Sequence, residues 1–293
     1  MNRKQFLNSL ALLPVTASAM ELRYLNKITE AFKPTDTMPV LFLGHGSPMN
    51  AIQENEFVIG WRNIGKTLSK PNAILCISAH WETRGTFVTA MEKPQTIHDF
   101  GGFPQALFEV QYPAKGSPAL ALETKNTIKK TEVVLDEKWG LDHGAWSVIK
   151  HLYPNADVPV IQMSLDYYQT PQYHYELAKE LSSLRKKGVL IIGSGNMVHN
   201  LGMMDWHNPD SGFDWALSAN DKLRKLITDN DHPQLINYKS LGKDFQLSVP
   251  TPEHYLPLLY SLALKNEKEK ISFFNDKTVM GSISMTSLRI GDN

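Results

Sequence analysis

The segment PVLFLGHGSPMN, residues 39–50, contains the pattern from which the fold can be inferred. Its apolar run from Val40 to Leu43 has the length and composition of a buried strand, and the run leads to His45 between two glycines. Glycine permits sharp turns and close approach of the backbone. This histidine is therefore expected at the end of a strand, facing whatever lies beyond it.

Further apolar runs bounded by turn residues predict buried strands at residues 73–78, 158–165 and 188–193. Helical patterns fall between and after them, at residues 56–68, 117–130, 170–187, 213–227 and 252–264. Strands that alternate with helices predict an α/β fold with a mixed, largely parallel central sheet flanked by helices. The alternating segment GSISMTSLRI, residues 281–290, predicts a half-buried strand near the C-terminus.

Composition excludes several classes of function. The 293 residues are 42% hydrophobic, and 30 basic residues balance 30 acidic ones, so no net charge attracts nucleic acid or an anionic membrane. The single Cys76 excludes an internal disulfide and a multi-cysteine zinc site. Neither a GxGxxG sequence after a strand nor a P-loop is present. Without a repeat or a linker rich in Pro, Gly or Ser, the chain is expected to form a single domain.

The first twenty residues, MNRKQFLNSLALLPVTASAM, are treated separately from the fold. A basic start at Arg3 and Lys4, an apolar stretch and small residues at 17–19 are typical of an export signal, here resembling a degenerate twin-arginine leader. The apolar stretch is too short to span a bilayer. The alternative is a plain N-terminal extension. Residues 1–20 therefore predict a periplasmic location if they direct export and a cytoplasmic one otherwise.

Histidines follow several of the predicted strands. His45 follows the first strand, His80 the second, and His199 the strand at 188–193, while His254 lies between two prolines and a predicted helix. Ligands of open α/β sheets bind beyond the carboxyl ends of the strands, so the three imidazoles that follow strands are expected to converge on one crevice, where they suit a metal ion. The other reading of each one is an ordinary core or surface histidine, which we retain for His151, His174, His207 and His232.

Two loops combine histidine, glycine and aromatic residues. TIHDFGGFP, residues 96–104, contains His98 and Asp99, and WGLDHGAWSV, residues 139–148, contains His143. Such loops suit a flat aromatic ligand held beside acid/base groups. In the structural alternative the aspartates cap helices, and Asp142 in particular is a good candidate for the cap of the helix that follows.

Six blocks in order now resemble one family: PVLFLGHGSPMN, SAHWETRGTFVTA, TIHDFGGFPQALFEVQYPAKGSPALA, DHGAWSV, GSGNMVHNL and PTPEHYLPLLY. Together they are similar to the 4,5-DOPA extradiol dioxygenases, which are related to the catalytic subunit of protocatechuate 4,5-dioxygenase. The resemblance covers residues 38–290, and we take residues 21–293 as the dioxygenase domain.

The resemblance implies a site. It implies His45, His80 and His254 as metal ligands, His199 as a fourth ligand or the catalytic acid/base, and His143 as a catalytic residue that faces the substrate. The wider group uses two histidines and a glutamate, so Glu253 is the alternative third ligand. Non-haem Fe(II) is the expected cofactor, and Zn(II) is able to occupy the same site.

The expected partners are a small catechol, such as DOPA, and O₂, with no nucleic acid and no membrane span. The expected assembly is a monomer or a small homo-oligomer. The residues Trp81, Phe100 and Phe103 are candidates for an aromatic wall around the ring. Two other functions compete with the dioxygenase: a zinc-dependent hydrolase or amidase that activates water with the same imidazoles, and a metal-storage protein without turnover.

Overall fold

A mixed sheet of eight strands lies at the centre of residues 35–292, the part of the chain that this computed structural model describes. Its eight strands are β1 Val40–Gly44, β2 Ala73–Thr83, β3 Thr86–Thr89, β4 Val133–Asp136, β5 Val160–Asp166, β6 Val189–Gly195, β7 Ile271–Phe274 and β10 Ser287–Ile290. A separate pair is formed by β8 Thr278–Val279 and β9 Ile283–Ser284. The export prediction for residues 1–20 lies outside the described residues.

The order across the large sheet is β4-β3-β5-β2-β6-β1-β10-β7. The four central strands, β5, β2, β6 and β1, pair in parallel. Antiparallel strands β10 and β7 extend the sheet beyond β1, and β3 pairs antiparallel with β5 on the other side. The prediction of an α/β fold with a mixed, largely parallel sheet is confirmed.

Helices flank this sheet. They are α1 Glu56–Thr67, α2 Gln105–Phe108, α3 Pro118–Thr127, α4 His143–Leu152, α5 Pro171–Glu180, α6 Ser182–Arg185, α7 Asp214–Thr228, α8 His232–Ile236, α9 Lys243–Ser248 and α10 Leu256–Ala263. Side-chain caps begin several of them: Ser117 accepts a hydrogen bond from Leu120 N, and Thr170 accepts one from Tyr173 N. Among the described residues, no helix is long and apolar enough to cross a bilayer.

The core lies between the central strands and the helices. Every residue of β1, β5 and β6 is buried, as their continuous apolar sequences predict for parallel strands covered on both faces. Trp61 of α1 and Trp146 of α4 are fully buried in the same core. This packing fixes the strand ends, and therefore fixes the residues that follow them.

Some predicted elements differ from the observed ones. The helix expected at 170–187 is divided into α5 and α6, and the helix expected from residue 252 begins only at Leu256, which leaves His254 in a turn. The strand expected at 281–290 is two strands, β9 and β10, in different sheets. Its half-buried prediction is wrong, because the serines and threonine on its polar side are buried.

Candidate metal centre and active site

The carboxyl ends of the parallel strands carry the histidines. His45 directly follows β1, His199 follows β6, and His80 lies in the distal part of β2, where the register with β5 is irregular. A hydrogen bond of 2.9 Å from Asn196 N to the carbonyl of His254 ties the turn before α10 to the end of β6. All four histidines therefore meet at one edge of the sheet, which the strand pattern predicts for His45, His80 and His199.

The turn after β1 explains the glycine that follows His45. Gly46 has φ +59°, a backbone conformation that favours glycine, and a Cβ at this position would collide with the side chain of Met285. Asn50 Nδ2 donates to the carbonyl of His45 at 3.1 Å and fixes the turn. The backbone conformation of this turn thus fixes the direction in which the imidazole of His45 points.

Three imidazoles form the centre of the cluster. The Nε2 atoms of His45 and His80 are 3.1 Å apart, and the ring centroid of His254 lies 5.3 Å from that of His45 and 5.0 Å from that of His80. One nitrogen from each ring lies within 4.8 Å of the others. The structure thus brings together the three residues that the family resemblance implies as ligands.

The donor set fits a metal ion. Two nitrogens 3.1 Å apart, each about 2.0–2.1 Å from one ion, subtend an angle of about 98° at it, between the octahedral and tetrahedral values. The Nε2 atom of His254 is buried and has no hydrogen-bond partner among the described residues. A buried polar atom without a protein partner is unfavourable unless a bound group such as a metal ion satisfies it. Imidazole nitrogens suit both iron and zinc.

The ring of His45 is held through its other nitrogen. Nδ1 of His45 lies 3.0 Å from Ser194 Oγ, and that hydroxyl donates to the carbonyl of Gly144 at 2.5 Å. Since the hydroxyl proton is committed to Gly144, His45 donates from Nδ1 to Ser194. This tautomer leaves Nε2 with a free lone pair for a metal, which is the usual arrangement of histidine ligands.

Carboxylates hold the other two rings. Glu253 Oε1 lies 3.0 Å from Nδ1 of His254, and Asp99 Oδ2 lies 3.4 Å from Nδ1 of His80. In each case the carboxylate favours a proton on Nδ1 and leaves Nε2 free. Glu253 therefore contacts the ring of His254 from the side opposite to the shared nitrogens, while it also forms a possible ligand set with His199 and His254.

Burial keeps these imidazoles neutral. It lowers the pKa of His45 and of His254 well below the usual value, and the neighbouring imidazoles lower both further. Burial and the ring of His143 lower the pKa of His80 to about 3, although Asp99 acts in the opposite direction. The neutral form is the one that binds a metal, so the folded protein presents ready ligands at neutral pH.

His143 occupies the start of α4, beside His80. Their ring centroids are 3.9 Å apart, and Nδ1 of His143 lies 3.0 Å from Asp99 Oδ2, in a close contact off the ideal hydrogen-bond line. Asp99 Oδ1 also accepts the backbone N–H of His143 at 2.8 Å. Burial raises the pKa of Asp99, but the hydrogen bonds and charge of His143 outweigh it, so the pKa is lowered overall. Asp99 thus joins two histidines of the site.

Asp142 caps α4, as the structural alternative predicts. Its Oδ1 accepts from Ala145 N at 3.0 Å and from Ser78 Oγ at 2.7 Å, and Gln162 Nε2 donates to Oδ2 at 2.7 Å. The backbone of α4 passes very close to the second strand here, because a Cβ on Gly144 would lie 2.8 Å from Cδ2 of His80. This buried network sets the distance between His80 and His143.

The imidazole of His199 stacks on that of His254. The ring centroids are 3.5 Å apart and the planes differ by 8°. Burial lowers the pKa of His199 to about 4, Glu253 partly opposes that effect, and His143 adds to it. His199 lies at the same cluster without belonging to the set of His45, His80 and His254.

A cavity of about 930 Å³ opens over the cluster. Phe100 and Phe103 line it, with their rings edge to face at 5.5 Å, as predicted for an aromatic wall. Trp81 was expected in the same wall, and this expectation is wrong. Its side chain is buried in a stack on Trp139, because alternate residues of a strand point to opposite faces.

The remaining histidines lie outside the cluster. His98 is bonded to the carbonyl of Val110, and the others predicted as ordinary are His151, His174, His207 and His232, of which His207 is on the surface. Sequence reasoning missed Ser194 and Asn50, which orient His45. Neither belongs to a pattern that marks function, since their importance depends on contacts between distant parts of the chain.

Comparisons with known proteins agree with this arrangement. A family model described as the catalytic LigB subunit of aromatic ring-opening dioxygenase matches residues 39–272. The chain is 48% identical to the 4,5-DOPA dioxygenase extradiol of Escherichia coli (strain K12) over 259 residues, covering 87% of this chain and 95% of that protein. It is 35% identical to the protein of the same name from Beta vulgaris over 264 residues, covering 85% and 94%.

A solved structure is also similar. The crystal structure of an uncharacterized protein from Escherichia coli K12 matches with a TM-score of 0.76 and 43% identity, and the match covers 87% of this chain and all of that one (100%). The matching family model covers most of the sheet and all five histidines at the centre: His45, His80, His143, His199 and His254. The chain therefore belongs to the LigB family of aromatic ring-opening dioxygenases.

Proposed function

We propose that this chain is an extradiol dioxygenase that opens the ring of a small catechol, such as DOPA, next to the diol. His45, His80 and His254 would hold non-haem Fe(II). The observation that carries the proposal is the meeting of three imidazoles, two of them buried and that of His80 partly buried, whose Nδ1 atoms each have a separate partner. Bound iron supplies the redox chemistry that O₂ requires, which zinc lacks.

His199 acts as the acid/base in this proposal. Its pKa of about 4 keeps the ring neutral at pH 7, so it can accept a proton from a catechol hydroxyl. The stack on His254 at 3.5 Å holds it beside the centre. The sequence leaves two separate alternatives open: His199 as a fourth ligand, and Glu253 in place of His254 as the third.

His143 and the aromatic wall position the substrate. Asp99 orients His143 through a 3.0 Å contact with Nδ1, which leaves Nε2 to interact with oxygen atoms that gain negative charge during ring opening. Phe100 lies edge on to the ring of His143, with centroids 5.5 Å apart. A flat catechol ring would pack against Phe100 and Phe103.

Reconstitution with two metals tests the proposal. The metal-free protein is loaded anaerobically with Fe(II) or Zn(II) and mixed with L-DOPA, and O₂ uptake and a yellow ring-opened product are recorded. We expect both signals with Fe(II) alone. Turnover of an ester or amide by the zinc form without O₂ uptake would favour the hydrolase, and tight metal binding without turnover of any catechol would favour the storage protein.

Further properties are proposed on the same basis. The dioxygenase domain spans residues 21–293 as a monomer or a small homo-oligomer, and residues 1–20 place the protein in the periplasm if they direct export. N-terminal sequencing of protein from separated cell fractions tests the cleavage, and light scattering on the purified protein gives its mass in solution.

A further inference from the structure

The mouth of the catalytic cavity carries negative charge. Glu56 and Asp210 line it, whereas neither a lysine nor an arginine is among the lining residues in the described part of the chain. Their side chains are 62% and 90% exposed, so both carboxylates are accessible to a bound molecule. Asp99, the third lining carboxylate, is already occupied by His80 and His143.

Both carboxylates are paired with the same cation. Lys277 Nζ lies 2.7 Å from Glu56 Oε1 and 3.3 Å from Asp210 Oδ1, and this lysine does not itself line the cavity. Two carboxylates therefore share one ammonium group, which leaves one net negative charge. Each ionised carboxylate also has about four acceptor positions, so both keep the capacity to accept another donor.

The same cavity contains a buried ring nitrogen that has no hydrogen-bond partner among the described residues. His254 lines it and is more than nine-tenths buried, yet its Nε2 has no partner among the described residues. A catechol with its two hydroxyls at this end directs the substituent on the opposite side of its ring away from the histidines. That substituent then lies toward the mouth.

We propose, on the basis of the proposed function, that Glu56 and Asp210 select catechols with a protonated amine, and that a carboxylate on the substrate is disfavoured. A substrate carboxylate would meet two like charges and no free cation, whereas an ammonium group would meet two acceptors. The amine of DOPA is thus recognised and its carboxylate is not.

Four catechols with different charges on the substituent test the effects of the amine and of the carboxylate separately: 4-ethylcatechol, dopamine, 3-(3,4-dihydroxyphenyl)propionate and L-DOPA. Exposed ion pairs of this kind change equilibria by up to about fivefold. With the Fe(II) protein at low ionic strength, we expect kcat/KM to be about two- to fivefold higher for dopamine than for 4-ethylcatechol, and lower by a similar factor for the propionate. Both differences should shrink as salt is added, because the charges are exposed.

Variants assign the effect to residues. Glu56→Gln and Asp210→Asn should each lower the ratio of dopamine to 4-ethylcatechol, whereas Lys277→Gln should raise it by releasing both carboxylates. Glu54→Gln is the matched control, because Glu54 is exposed, pairs with Arg62 and does not line this cavity. A selective loss of L-DOPA turnover in Lys277→Gln would overturn the proposal, since Lys277 would then bind the substrate carboxylate.

Binding to the Zn(II) form separates this inference from the proposed function. Titration calorimetry under argon measures the affinity for the four compounds without turnover. The same order of affinities in the zinc form supports charge selection even if the iron protein consumes no O₂, an outcome that would refute the dioxygenase. Equal affinities for dopamine and the propionate would overturn the charge selection while ring opening of 4-ethylcatechol continued.

Discussion

Replacing Asp99 by Asn should weaken metal binding without unfolding the protein. The carboxylate lies 3.4 Å from Nδ1 of His80 and 3.0 Å from Nδ1 of His143, and it accepts the backbone N–H of His143 at 2.8 Å. Asn keeps the size and one acceptor oxygen but removes the negative charge that favours a proton on each Nδ1. The Nε2 lone pair of His80 is then less basic and less well oriented.

The expected loss of metal affinity follows from the contact between Asp99 and the ring of the proposed ligand His80. Changes to groups that orient metal-binding histidines usually reduce metal affinity by about 10–100-fold, or about 1.4–2.7 kcal/mol. The assay is competition for Zn(II) with a chromophoric chelator, with urea unfolding of the metal-free protein as the measure of stability. Asp157→Asn is the control, because Asp157 forms an exposed pair with Lys70.

Two outcomes would contradict a role for Asp99 in metal binding. A zinc affinity for Asp99→Asn within twofold of the parent would refute the idea that Asp99 supports His80. A large loss of affinity accompanied by unfolding of the metal-free variant would show instead that Asp99 stabilises the fold. We expect the metal-free variant to unfold within about 1 kcal/mol of the parent, because an amide can still accept the backbone bond.

His254→Ala should abolish tight metal binding, whereas His199→Ala should retain the metal and lose turnover. Metal analysis and O₂ uptake measure both effects. Loss of the metal in His199→Ala would show that His199 is a ligand. Gly144→Ala should destabilise the protein by about 1–3 kcal/mol and weaken metal binding, because the new Cβ would lie 2.8 Å from Cδ2 of His80. Urea unfolding measures the loss of stability, and chelator competition measures the loss of metal affinity. Burial lowers the pKa of His174 to about 4 from 6.5, so the unfolded chain binds an extra proton between these values. The contribution of His174 to the free energy of unfolding should therefore be fully retained above pH 6.5 and fall by roughly 3 kcal/mol as the pH drops to 4. This decrease should be smaller in His174→Gln, and an unchanged pH dependence would contradict the assignment.

The strand ends were predictable from sequence because their signal is local. A continuous apolar run followed by glycine and histidine indicates where a buried strand stops, and parallel pairing then brings His45 and His80 to one edge. The resemblance to a family supplied His254, which no strand pattern marks. Family membership and fold can therefore be predicted from the sequence alone.

The contacts behind the ligands were not predictable, since they depend on register between distant segments. Ser194 meets His45 only because β1 pairs with β6 in one particular alignment. The C-terminal strand shows the same limit: its alternating pattern predicts an exposed polar face, yet Ser284 and Thr286 are buried. Their hydroxyls bond to each other and to Asn220, so a polar face is satisfied without water.

The place of β10 beside β1 has a consequence for biosynthesis. Val40 pairs with Ile290, so β1 completes its pairing only when a strand much later in the chain has been made. Ser287 accepts the backbone N–H of Gly44 at 3.0 Å, next to His45. A ribosome-bound chain that still lacks β10 leaves one edge of β1 unpaired, so the histidine cluster next to β1 takes its final form only after β10 has been made. The order of the strands in the sheet therefore delays completion of the histidine cluster until both distant segments are present.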